Sequence, residues 1–180
     1  NPTDDASRLR VALQIHAYYM DILPRLRAHL EANQLRPDLF ISTTSRESAA
    51  EARSLLDGYS ARTEVRMVPN VGRDIAPFLT YFGPQLVHDY DVIGHVHTKK
   101  SKFLGNADVV ETWVNFLYEN ILGGETGGPM IDRILNTMAE APDVGIVFPS
   151  DPNLISWSRN HDYSQQLARK LGLDGLPEII

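Results

Sequence analysis

Five short apolar runs, LRVALQIH (9–16), DLFIST (38–43), TEVRMVP (63–69), YDVIGHVH (90–97) and DVGIVFP (143–149), constrain the fold more than any other feature of the chain. Each reads as a strand, and LRVALQIH, a continuous apolar run with β-branched members, has the pattern of one buried on both faces. Between them the period changes to that of a helix. MDILPRLRAHLEANQ sets Ile22, Leu23, Leu26 and Leu30 on one face, with Pro24 in the first turn, where its missing N–H costs little. Thr44-Ser45-Arg46-Glu47 has the form of a capping box that opens a helix running to about Leu56, stopped by Gly58. A short helix is expected from Asp74 to about Phe82, and longer ones in DVVETWVNFLYENIL, PMIDRILNTMAEA and YSQQLARKLGL. Strand and helix alternating in this way predict an α/β domain around a largely parallel sheet.

The 180 residues, 43% of them hydrophobic, suffice for one domain with a real core, and the whole of 1–180 reads as a single unit. A net charge of -6 disfavours nucleic acid and acidic membrane surfaces as partners, so an anionic ligand has to be captured by a local cluster of cations. No run approaches a membrane span, and NPTDDASRLR has no apolar signal core. The absence of cysteine excludes disulfides, thiolate zinc and a cysteine nucleophile, and fits a cytoplasmic setting, at the inner face of the membrane if other parts of the chain or its partners hold it there. A start at Asn1 and a stop at GLPEII read as the ends of a fragment of a longer chain.

Ligands of parallel α/β sheets bind beyond the carboxyl ends of the strands. The residues there are His16, Tyr18 and Tyr19 after the first run, Ser42, Thr43 and Thr44 after the second, Asn70, Gly72, Arg73 and Asp74 after the third, His97, Thr98, Lys99 and Lys100 after the fourth, and Ser150 and Asp151 after the fifth. In PNVGRDIAPF, Gly72 permits a left-handed turn, Arg73 offers a guanidinium suited to phosphate, and Asp74 can cap a helix. In HVHTKKS, His95 and His97 share one strand face, as a metal site requires, but the adjacent Lys99 and Lys100 argue against a dication and for an anion cradle. No phosphate-loop, dinucleotide or zinc-protease motif occurs, and GGETGG, lying between two helices, reads as a flexible connection or lid. Trp113, Phe116 and Tyr118 fall in a helical pattern and read as packing, whereas Trp157 is a candidate acceptor contact.

The order VALQIHAYY, DLFISTTS, VPNVGRDIAPFL, YDVIGHVHTKKS and VGIVFP resembles the rhamnan synthesis protein F family of bacterial cell-wall and lipopolysaccharide assembly from about Leu9 onward. The resemblance implies glycosyl transfer, typically rhamnosyl transfer, from a nucleotide-diphospho-sugar such as dTDP-rhamnose to a growing polysaccharide. The layout is also distantly similar to GT-A nucleotide-sugar transferases, whose Asn-x-Gly turn is matched by Asn70 and Gly72 and whose metal-binding Asp-x-Asp is replaced here by His97-Thr98-Lys99. On this reading His16, Tyr18 and Thr43 line the nucleoside side. Arg73, His97, Lys99 and Lys100 face the diphosphate without a metal, Asp74 orients Arg73 or the sugar, and Asp151 is the one candidate for the base. The alternative is a non-catalytic module that binds a glycan or a partner of the assembly system.

Overall fold

The computed structural model describes residues 1–98, 100, 107–150 and 161–173. They group into two compact units, Asn1–Pro149 and Ser150–Ile180. The first opens with α1 (Asp4–Arg8), capped by Thr3, and continues through β1 (Val11–His16), α2 (Leu23–Glu31), β2 (Asp38–Thr43), α3 (Arg46–Leu55) and β3 (Thr63–Met67). A π-helical stretch, Pro77–Phe82, then leads into α4 (Gly83–Asp89), followed by β4 (Val92–His97), α5 (Ala107–Ile121) and α6 (Met130–Glu140). The second unit holds α7 (His161–Lys170), in which Ala168 is buried and Tyr163 and Leu167 are exposed.

The four strands form one all-parallel sheet in the order β3-β2-β1-β4. Strand pleating sends alternate residues to opposite faces, and the two faces have separate cores. Leu13, Ile15, Leu39 and Ile41 pack with Leu26 and Leu30 of α2, Ala52 of α3, Trp113, Val114 and Tyr118 of α5, and Ile131 and Leu135 of α6. On the other face Ala12 and Phe40 pack with Phe82 and Leu86. Burying each of the larger side chains stabilises the fold by about 1.5–3 kcal/mol. Trp113 and Tyr118 are therefore core residues, as the helical pattern implied.

Three expectations are corrected. The run 143–149 carries no strand, so the described sheet has four strands and not five. Gly145, Ile146 and Val147 instead line a cavity of about 340 Å³ together with Val92, Ile93 and Gly94 of β4. Ile146 and Phe148 are 75% and 70% exposed. The cap of α3 is Ser45, whose hydroxyl accepts from the Ser48 N–H, one residue later than the box centred on Thr44. The loop 123–128 is pinned by the paired Gly124 and Gly128 backbones, and the Gly127 N–H donates to Glu119 Oε2 at 2.6 Å. It is a fastened turn and not a free lid.

Candidate functional site

Chain order reverses at β1, which has β2 on one side and β4 on the other. In open parallel sheets such a reversal opens a crevice at the carboxyl ends of the two strands. A cleft of about 470 Å³ lies there, lined by His16, Tyr18 and Tyr19 from the loop after β1, Asn70, Arg73 and Asp74 from the loop after β3, and His97, Thr98 and Lys100 from the end of β4. Seven of the residues assigned to the donor from the sequence thus meet in one place: His16, Tyr18, Asn70, Arg73, Asp74, His97 and Lys100.

Two others do not line it. Thr43 is fully buried and donates to the Ser45 carbonyl at 3.4 Å. Gly72 acts through the backbone: its φ of +75° and the φ of +55° at Arg73 form two successive left-handed residues that swing Asp74 back toward β4. A side chain at Gly72 would sit 2.3 Å from Ala76 Cβ, so the turn needs glycine on steric grounds as well. Lys99, Asp151 and Trp157 lie outside the described residues.

The loops are tied together at the rim. Thr98 Oγ1 accepts from the Tyr19 N–H at 2.8 Å, the Thr98 N–H donates to the His16 carbonyl at 3.0 Å, and Tyr118 donates its hydroxyl to the His97 carbonyl at 2.9 Å. Lys100 pairs with Asp21 at 2.5 Å and lies 5.2 Å from the centre of the Tyr19 ring, which meets Tyr18 edge-on. Arg73 is exposed.

Below the rim runs a polar stripe. On the face that carries Ala12 and Phe40 at the amino end of the sheet, the carboxyl end carries Gln14, His16, Ser42, His95 and His97, with Gln14 level with His95 and His16 level with Ser42 and His97. Gln14 Nε2 donates to Ser42 Oγ at 2.9 Å, Ser42 Oγ lies 2.8 Å from His16 Nδ1, and Gln14 Oε1 faces His95 Nδ1 at 2.7 Å. Beyond them Asp74 Oδ2 stands 3.4 Å from His95 Nε2 and 3.4 Å from His97 Nδ1. Phe78 stacks on the His95 ring at 4.6 Å.

Burial lowers the pKa of His95 below the ordinary imidazole value against the opposing pull of Asp74, and burial does the same at His16. At Asp74 burial acts upward, but its own backbone N–H and the two imidazoles outweigh it and hold the carboxyl below its usual range. Sequence reasoning found the histidines and missed Gln14 as their partner. Its signal was a lone amide within an otherwise apolar strand, which burial allows only when the amide is hydrogen-bonded.

No helix among the described residues is long and apolar enough to cross a membrane. No solved structure matches the chain. It is 30% identical over 138 residues to the uncharacterized protein WxcX of Xanthomonas campestris pv. campestris strain B100, and 29% identical over the same length to WxcX of strain ATCC 33913. The match covers 76% of this chain and 19% of each relative, so the chain spans about a fifth of the length of the curated relatives it matches. Residues 1–173 match the family described as rhamnan synthesis protein F, and the chain belongs to that family.

Proposed function

We propose that this chain is the donor-binding part of a glycosyltransferase of polysaccharide synthesis, with a GT-A-like fold and a nucleotide-diphospho-sugar as donor. The observation that carries the reading is the cleft at the reversal point of the sheet, with Tyr18 and Tyr19 on one wall and Arg73, His97 and Lys100 on the others. Aromatic rings suit a nucleobase, and a guanidinium and an ammonium suit a diphosphate, whose developing charge they stabilise as the sugar departs. Family membership supports the sugar-polymer context.

Asp74 is the one carboxylate among the described lining residues, and it is engaged by two imidazoles. Deprotonation of an acceptor hydroxyl therefore falls to a group elsewhere in the protein, Asp151 being the sequence candidate. The same observation favours the second reading, a module that binds without catalysing.

Calorimetric titration with dTDP-rhamnose tests the proposal. Saturable binding at one site per chain, weakened by salt and by Lys100→Ala, is the expected result. Heats indistinguishable from dilution for dTDP-rhamnose and for other nucleotide-diphospho-sugars would sink the donor reading. Donor binding without sugar transfer by the full-length protein would favour the module.

A further inference from the structure

We infer that Asp74, His95 and His97 form a binding site for a divalent transition-metal ion of the zinc type, with its open coordination position facing the cleft. The three side chains bring one ligand atom each to within 4.8 Å of one another. Asp74 Oδ2 stands 3.4 Å from both ring nitrogens. Tetrahedral ligands at the usual zinc bond length of about 2.0–2.1 Å are about 3.3–3.4 Å apart, so the two edges that share Asp74 already have the spacing of a closed site. Two imidazoles and a carboxylate are the ligand set of a three-coordinate protein site that leaves one position for water or substrate oxygen.

The second independent observation is the amide behind His95. Gln14 Nε2 is committed to Ser42 Oγ at 2.9 Å, which leaves Oε1, an acceptor only, against His95 Nδ1 at 2.7 Å. In the tautomer that donates Nδ1–H to this oxygen, Nε2 presents its lone pair toward Asp74. A cation between this lone pair and Asp74 Oδ2, 3.4 Å apart, is bound by both. A metal ion is such a cation. Metal-bound histidines commonly donate their other ring N–H to an oxygen that fixes tautomer and ring angle, and Gln14 occupies that position here.

Of the two flanking lysines, which in the sequence set a dication aside, Lys100 is the one among the described residues. Its ammonium is paired with Asp21 at 2.5 Å, which offsets its charge, and Asp74 adds a negative charge to the ligand set. The position left open faces the cleft that Asp74 and His97 line with Arg73 and Lys100, so an oxygen of an anion bound there can complete the coordination sphere.

The probe is Zn²⁺ alone, titrated by calorimetry into chelator-stripped protein, with Co²⁺ in its place to read coordination geometry from the visible d–d bands. One equivalent per chain is expected. Asp74→Ala and His97→Ala should each weaken binding by about tenfold or more, and Gln14→Met, which changes a positioning residue only, by about 10- to 100-fold. His88→Ala, at an exposed histidine beside Asp89, should leave binding unchanged. Thermal melts in chelator report whether each variant folds, and His97, at the part-exposed end of its strand, decides the matter if Asp74→Ala is unstable. Absence of stoichiometric Zn²⁺ binding, or binding unaltered in the folded Asp74 and His97 variants, overturns the inference. The donor reading is separable: Zn²⁺ binding without nucleotide-sugar binding leaves this site intact, and the reverse removes it and spares the donor.

Discussion

Arg73 holds a φ of +55°, a conformation that costs a side chain about 1–2 kcal/mol relative to the right-handed region. Glycine avoids that cost but loses about 0.5–1 kcal/mol of stability through its freer unfolded chain. The two effects offset to within about 1 kcal/mol, so Arg73→Gly should melt at or slightly above the parent temperature. Donor affinity should nonetheless fall by about 1.5–3 kcal/mol, roughly 10- to 150-fold, if the guanidinium makes a charge-assisted contact to the diphosphate. A melt well below the parent's, with affinity kept, would instead make Arg73 a structural residue. At this scale much of the site was legible. PNVGRDIAPF and HVHTKKS named the turn, the histidines and the cations from residue type alone. What residue type could not supply was the meeting of Asp74 with His95 and His97, because the two left-handed residues that carry Asp74 to β4 are a property of backbone torsion.

The turn of residues 70–74 depends on one missing side chain. Gly72→Ala places a methyl 2.3 Å from Ala76 Cβ and strains φ at +75°, so a loss of about 1–3 kcal/mol in denaturant unfolding is expected. Asp74 should be displaced with it. Zn²⁺ affinity should then drop even though every ligand is still present, and titration of this variant beside Asp74→Ala shows whether position or chemistry was lost. At the end of β4, Tyr118→Phe removes the hydroxyl that holds the His97 carbonyl, with an expected cost of about 1 kcal/mol in the same unfolding assay. Elements with a strong period, β1, β2, α2, α3, α5 and α6, were readable because burial on a fixed face dictates the pattern. The run 143–149 was not, because an apolar composition by itself guarantees neither contact with a core nor ladder hydrogen bonds. DVGIVFP has the composition but makes neither: Gly145, Ile146 and Val147 are exposed, lining a cavity beside β4, and form no strand.

For the whole unit, β1 and β4 are joined at their amino ends by Asp91, which accepts from the Arg10 N–H at 2.8 Å and from its guanidinium at 3.2 and 2.9 Å. These contacts hold the Asp91 carboxyl down to about 2. A depressed pKa in the folded state means that this contribution is complete above the unfolded carboxylate range and is lost as pH falls from about 4 toward 2. Asp91→Asn should therefore lower the melting temperature modestly at pH 7 and flatten its dependence on pH across that window. Parent and variant curves that stay parallel down to pH 2 would count against it. The sheet order was not legible in the sequence, since periodicity identifies strands without saying which lie side by side.

That order also sets when the site can exist during synthesis. β1, β2 and β3 are joined by short crossovers and can pair as they leave the ribosome, but β4 must find β1 across 81 residues, as the contact between Gln14 and His95 measures. Loop-closure entropy places such a pairing after the local ones. His95, His97 and one wall of the cleft arrive with that strand, so a nascent chain that stops before Val92 has Asp74 and Arg73 in hand without the β4 groups they face. The candidate site is thereby assembled only once β4 has joined β1, and a half-made domain does not yet contain it.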